Sequence, residues 1–206
     1  MIMSKPGQRD ADRSRTAILA SAEELFANLG FERVSLAEIA ELAGVSRGLP
    51  SYFFLNKENL YRTVMEQAAA RNRGTVLDVV RSMKGNGPRA ILLTLIDRYI
   101  DYLAANPRIV RLLQWEALET ATRHAPGAAS GIPRRVFLEA SQLISECVGA
   151  KKVKGLSTED LLLSIVSMCL YPFQVRPAGE TKNKGFIQRH KRHISAIVVR
   201  AIREDV

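Results

Sequence analysis

Cysteine and histidine are scarce in this chain of 206 residues, which holds two of the first and three of the second. Cys147 and Cys169 lie far apart, without Cys-x-x-Cys or Cys/His spacing, so the sequence suggests neither a disulfide framework nor a zinc site. A reducing compartment, the cytoplasm, is the expected location. Long apolar runs are also missing: the strongest, Leu161 to Phe173, is too short to span a bilayer and is interrupted by Ser164, Ser167 and Pro172. Met1 to Thr16 is mostly polar and charged, which excludes a secretory signal with a basic end and an apolar run. No segment alternates with period two between turn residues, so strands are not expected. His124, His190 and His193 are accompanied by no nucleophile elbow, phosphate loop, metal cluster or paired-acid motif. The expectation is therefore no enzyme, no metal and no cofactor, with His190 and His193 as solvated neighbours on one helix face.

What the chain does have is apolar mass and positive charge. Hydrophobic residues make up 47%, enough for a real core at this length. A net charge of +9 favours polyanions such as nucleic acid or an anionic membrane. Its location weakens that argument for the N-terminal part. Residues 1–62 hold eight basic side chains (Lys5, Arg9, Arg13, Arg15, Arg33, Arg47, Lys57, Arg62) against eight acidic ones (Asp10, Asp12, Glu23, Glu24, Glu32, Glu38, Glu41, Glu58). A DNA-binding reading there must rest on pattern.

The pattern is helical throughout and predicts an all-α protein. Ile18, Leu19, Ala22, Leu25, Phe26 and Leu29 recur at three and four residues, marking a helix from Ser14 to Leu29 behind a disordered polar arm over 1–13, with Gly30 as its C-terminal cap. Ser35-Leu36-Ala37-Glu38 reads as a capping box that opens a short helix to Leu42. Ser46 can cap a third short helix reaching Phe53 or Phe54, and Lys57-Glu58 opens a long one to Met83. Further helices are expected over 88–105, 107–123, 133–149, 158–174 and 184–204, with linkers over 125–132 and 176–182. Asn106-Pro107 and Ser157-Thr158 supply capped starts for two of them.

The two short helices carry the function. Ala40 is small enough for close helix approach, Gly44 can take the left-handed conformation that turns the chain, and Ile39, Val45 and Phe53 suit the packed underside. These are the requirements of a helix-turn-helix, whose second helix, starting near Arg47, offers its outer side chains to the major groove. Arg47 can donate two hydrogen bonds to a guanine and Leu49 can touch a thymine methyl, while Ser51 and Tyr52 can donate to phosphates. Lys57 at a helix start adds charge to amides aimed at the backbone. Lys5, Arg9, Arg13 and Arg15 suit an arm on phosphate or in the minor groove.

From Arg15 to Leu60 the order Arg-Thr-Ala-Ile-Leu-Ala-Ser-Ala-Glu-Glu-Leu-Phe, then Ser-Leu-Ala-Glu-Ile-Ala-Glu-Leu-Ala-Gly-Val-Ser-Arg-Gly, then Tyr-Phe-Phe and Lys-Glu-Asn-Leu resembles the tetracycline-repressor (TetR) family. The resemblance implies a three-helix DNA-binding domain over 14–60 and a helical effector-binding and dimerisation domain over 61–206. It also implies repression from double-stranded operator DNA, released by a small-molecule effector. It puts Arg47, Gly48, Leu49, Ser51, Tyr52 and Phe53 on the recognition helix and Lys57 on phosphate. Leu49-Pro50-Ser51 departs from the usual pattern, and Pro50, lacking an amide proton for Ser46, is expected to loosen or shift the start of this helix.

In the larger part, Tyr99, Tyr102, Leu112, Trp115, Glu116, Phe137, Met168 and Tyr171 are candidates for an effector pocket, Trp115 beside Glu116 most of all. The last two long helices are expected to form the homodimer through Leu161, Leu162, Ile165, Val166, Met168 and Cys169 on one and Ile187, Ile194, Ile197, Val198 and Ala201 on the other. Lys182, Lys184, Arg189, Lys191 and Arg192 are expected to be a solvated basic face. A membrane-surface role for this basic helix leaves the ordered pattern from Arg15 to Leu60 unexplained, so no membrane partner is expected.

Overall fold

Helical periodicity becomes nine helices, with no strand, among the residues that the computed structural model describes: 6–83, 86–122 and 157–201, with 137–139, 141–142 and 145–146. They are α1 (Pro6–Leu29), α2 (Leu36–Leu42), α3 (Leu49–Phe54), α4 (Lys57–Ser82), α5 (Pro88–Ala105), α6 (Pro107–Thr122), α7 (Thr158–Val175), α8 (Ala178–Thr181) and α9 (Lys184–Ala201). The helix expected over 133–149 falls outside the described residues apart from the short pieces named, as do the 125–132 linker, Lys5, His124 and Cys147. Among the described residues no helix is long and apolar enough to cross a membrane.

Three boundaries differ from expectation. α1 starts at Pro6 rather than Ser14, so residues expected to form a disordered arm are helical; proline is well placed in a first turn, and Thr16 Oγ1 donates to the Asp12 carbonyl of the added length at 2.8 Å. α3 starts at Leu49 rather than after Ser46, as discussed below. Part of the expected 176–182 linker forms the single turn α8, with Glu180 and Thr181 amides bonded to the Pro177 carbonyl at 3.0 and 3.3 Å.

The chain divides into two compact units, the first comprising 1–68 with 111–130 and the second 69–110 with 131–206. In the first, Ile18, Ala22 and Phe26 of α1 pack with Ile39 and Ala40 of α2 and Phe54 of α3. Phe26, Phe31 and Tyr61 form an aromatic trio with centroids 5.1 to 6.0 Å apart. The unit extends beyond residue 60 because Tyr61, Val64, Met65 and Ala68 are buried too. Residues of α6 belong to it as well: Trp115 Nε1 donates to the Ala27 carbonyl at 3.3 Å, the Tyr61 hydroxyl donates to buried Glu116 at 3.0 Å, and Arg111 reaches Asn28.

In the second unit α5, α7 and α9 pack mutually. Leu92, Ile96, Ile100 and Leu103 of α5 recur at helical spacing and meet Leu161, Leu162, Ile165, Cys169 and Phe173 of α7 and Ile194 and Val198 of α9. Burying each such aliphatic side chain stabilises the fold by about 1.5 to 3 kcal/mol. Pro172 inside α7 removes the amide that would bond the Met168 carbonyl. The next carbonyl, that of Cys169, accepts a hydrogen bond from His190 Nε2 at 3.2 Å.

Two expectations about α9 need correcting. His190 is buried, stacked at 5.6 Å on Phe186 and edge-on to Phe173, and only His193 is exposed; an apolar slot beside the Cys169 carbonyl holds the neutral ring. Lys191 is buried rather than solvated and joins α9 to α5 through Asp97 at 2.8 Å and Asp101 at 2.7 Å. Burial pulls the Lys191 pKa down, but hydrogen bonds and charge from Asp101 and Asp97 outweigh it and raise the value. Lys182, Lys184, Arg189 and Arg192 are exposed.

Candidate functional site

The turn between α2 and α3 is built from local chemistry. At the start of α2 the Ser35 amide donates to Glu38 Oε2 at 2.8 Å, while the Glu38 amide donates to Ser35 Oγ at 3.2 Å. The Ser35 hydroxyl, and after it the Ser35 amide, hold the Glu38 carboxyl below its usual pKa. At the end of α2 the Gly44 amide reaches the Glu41 carbonyl at 3.1 Å and the Val45 amide reaches back to Ala40 at 3.0 Å. With Gly44 at φ +65°, this is a Schellman motif, which closes the helix and redirects the chain.

α3 begins after a preliminary turn in which the Leu49 amide bonds the Ser46 carbonyl at 3.0 Å. Gly48 is the N-cap and Pro50 falls in the first helical turn, where an amide has no intrahelical acceptor anyway. The start is thus shifted by the proline rather than loosened, and the first helical bond runs from the Tyr52 amide to the Gly48 carbonyl at 3.0 Å. Arg47 and Gly48 lie in this turn, ahead of the helix. Leu49, Ser51, Tyr52 and Phe53 lie on it.

Most of these residues share one property, exposure. Arg47, Gly48 and Ser51 are exposed, and Tyr52 is 78% exposed, a large value for an aromatic side chain. Leu49 and Phe53 are half-buried, Phe53 edge-on to Tyr52 at 5.2 Å, while Phe54 is core. The Arg15 guanidinium lies 5.2 Å from the Phe54 ring centre. Lys57 has a second engagement that sequence reading missed: its ammonium donates to the Phe31 and Glu32 carbonyls at 3.1 and 3.4 Å and sits 4.3 Å from the Phe31 ring centre. It ties the start of α4 to the loop after α1.

Two neighbours were not singled out in the sequence. Asn56 caps α4, accepting the Asn59 amide on Oδ1 at 2.8 Å, a role its position before Lys57-Glu58 could have suggested. Leu55 is 77% exposed with φ +68°, and the Asn56 amide closes a tight turn onto the Phe54 carbonyl at 2.8 Å. A leucine carries no sequence signal for that strained geometry.

The candidate effector residues separate. Tyr99, Tyr102, Phe137 and Met168 come together in the second unit, each half-buried against the core that contains Cys169. Leu112, Trp115 and Glu116 belong to the first unit, where Leu112 is buried, Trp115 faces Gly30 and Glu116 accepts from Tyr61. Tyr171 is 63% exposed on α7. The faces expected to pair two copies also resolve differently. Leu161, Leu162, Ile165, Cys169, Ile194 and Val198 are consumed inside the protomer, because α5 supplies them with an apolar partner.

Residues 18–64 match the family of bacterial regulatory proteins described as the tetR family, and residues 88–197 match the tetracyclin repressor-like C-terminal domain. The transcriptional repressor NicS of Pseudomonas putida is 27% identical over 175 residues, covering 79% of this chain and 77% of NicS. The transcriptional regulator RutR of Escherichia coli is 25% identical over 206 residues, covering 95% of this chain and 93% of RutR. The crystal structure of the regulator FadR from Bacillus subtilis with stearoyl-CoA shares the fold at a TM-score of 0.71 and 16% identity, over 91% of this chain and 99% of FadR.

Proposed function

The chain belongs to the tetR family of bacterial regulatory proteins, and from that premise we propose that it represses transcription as a homodimer on a two-fold operator and is released by a small effector. Membership makes it a DNA-binding transcriptional regulator, in keeping with the repressor and regulator it is similar to. The observation that carries the finer reading is the exposed surface of Arg47, Ser51 and Tyr52, held on a backbone locked by the capping box and the Schellman turn. Arg47 reads a guanine, Leu49 meets a thymine methyl, and Ser51, Tyr52, Lys57 and Arg15 hold phosphates. Gly48 lets the backbone approach the groove, and Phe53 braces Tyr52.

Dimerisation falls to the outer face of α7 and α9. Leu163, Tyr171 and Val175 recur at multiples of four residues and are 54%, 63% and 57% exposed, and Ile197 of α9 is 39% exposed. Such an apolar stripe on two helices suits a symmetric partner. The effector belongs with Tyr99, Tyr102, Phe137 and Met168, and the protein works in the cytoplasm, beside its operator.

The test is selection of sites from a random duplex pool by the purified chain at fixed near-physiological salt. An inverted repeat is the expected product. A single unpaired half-site would sink the dimeric reading, and recovery of no motif would sink sequence-specific binding.

A further inference from the structure

Tyr99 stands out among the polar groups of the second unit. Part of the residue stays accessible, yet its hydroxyl end is buried, beside Cys169 and Tyr102. Burial, followed by the proximity of Cys169 and Tyr102, pushes the phenol well above its usual pKa, so it remains a neutral donor. No described residue accepts a hydrogen bond from it. The Cys169 thiol is equally buried, and burial pushes its pKa up to about 12, so it too stays protonated and neutral. A buried donor left unpaired costs about 1 to 3 kcal/mol, and the described core it packs against is built of apolar side chains such as Ile96, Ile100 and Phe173.

The charge around this spot is committed elsewhere. Lys191 is held by Asp97 and Asp101, Arg176 by Glu180, and His190 is driven towards its neutral form by burial. A carboxylate or phosphate entering here would be stripped of water, and Lys191 and Arg176 already hold carboxylates of their own. A neutral oxygen would instead satisfy a donor that has no partner among the described residues.

We propose that the effector is an apolar molecule bearing a neutral acceptor oxygen, such as a ketone, ester or amide carbonyl, which accepts a hydrogen bond from the Tyr99 hydroxyl among Tyr102, Phe137, Met168 and Cys169. This rests on the effector reading above and narrows its chemical class. Tyr99 sets specificity: a ligand that lacks the oxygen leaves the phenol unpaired, and one that carries a charge leaves that charge unpaired.

The test titrates the full chain, as wild type and as Tyr99→Phe, with prodan. This neutral naphthyl ketone emits at longer wavelength when its carbonyl accepts a hydrogen bond. 6-Dimethylamino-2-naphthoate, in which a carboxylate replaces the ketone, serves as the charged comparison. Prodan should bind wild type saturably, bind Tyr99→Phe roughly two- to tenfold more weakly, and emit at shorter wavelength in the variant. The naphthoate should bind wild type at least about tenfold more weakly than prodan. The ligand-free variant should unfold no earlier than wild type, since it loses a hydroxyl that no described residue pairs with. Absence of saturable prodan binding, equal affinity and emission in the two proteins, or a naphthoate that binds as well as the ketone overturns the proposal. Operator affinity measured alongside separates the two claims. Prodan bound through Tyr99 without loss of operator affinity sustains the site and removes its effector role. Operator release by prodan that Tyr99→Phe does not blunt removes the Tyr99 assignment and leaves the effector reading standing.

Discussion

The helix-turn-helix and the α5/α7/α9 core solve opposite problems with the same kinds of side chain. Around α3 the groups proposed for function point outward, and their positions are fixed by hydrogen bonds of backbone amides to near neighbours, from Ser35 to the Glu38 carboxylate and from Val45 to the Ala40 carbonyl. In the second unit the chemically distinctive groups are drawn inward. Tyr99, Cys169, His190 and Lys191 owe their states to residues far away in sequence, as in the pairing of Lys191 with Asp97 and Asp101. A DNA-reading surface must stay wet until its partner arrives, so its order has to come from the backbone. A ligand-binding core must exclude water, so its order comes from packing and its specificity from the few polar groups left inside.

The sharpest way to break this contrast is at Gly30, where the local rule and a distant contact coincide. Gly30 has φ +78°, and a Cβ there would lie 3.0 Å from the Trp115 ring, so Gly30→Ala should cost about 2 to 4 kcal/mol, combining left-handed strain with overpacking. Gly44, at φ +65° with open space around it, should cost only about 1 to 2 kcal/mol on the same change. Urea unfolding of both variants measures the difference, and equal losses would show that Trp115 yields without cost.

Next in size is the separation of reading from holding. Arg47→Ala should lose about 1 to 3 kcal/mol of operator binding and relax preference at one base pair per half-site, with the unfolding midpoint unchanged. Lys57→Ala should weaken operator and random DNA alike and flatten the salt slope, and should also lower the unfolding midpoint, because its ammonium ties α4 to Phe31 and Glu32. Equal losses of Arg47→Ala on operator and random DNA would remove its assigned base contact.

The smallest effect concerns pH and belongs to the second unit. Burial, with smaller repulsion from His193 and Arg176, lowers the His190 pKa despite the Cys169 carbonyl, so the native state favours the neutral ring. That preference contributes stability present above the unfolded value of about 6.5 and lost as the pH falls through the lowered native value. Unfolding midpoints followed from pH 7.5 downward should decline in wild type and decline less in His190→Gln, whose amide can still donate to Cys169. Parallel slopes would mean that another group governs the acid response.

Much of the first unit was legible because its signals are local. The capping box, the Gly30 and Gly44 turns and the burial of Ile39 and Ala40 depend on residues within a few positions of one another, and their spacing states the geometry. Pro50 shows where such reasoning stops. Its missing amide was visible in the sequence, but whether that amide had an acceptor to lose depended on where the helix began. Periodicity likewise marked α7 and α9 as amphipathic without saying what would cover each face. Once α5 covers Leu161, Ile165 and Val198, Leu163, Tyr171 and Val175 remain exposed, the stripe proposed for a second copy.

The all-helical class, the helix-turn-helix and the family could be read along the chain, since each follows from hydrophobic period, caps and turn residues in a continuous stretch. That Lys57 holds a loop, that His190 and Lys191 are buried, and that the Tyr99 hydroxyl has no acceptor among the described residues emerged from the packed fold alone. Burial and pairing are properties of neighbours brought together from distant parts of the chain, and no spacing within one helix encodes them.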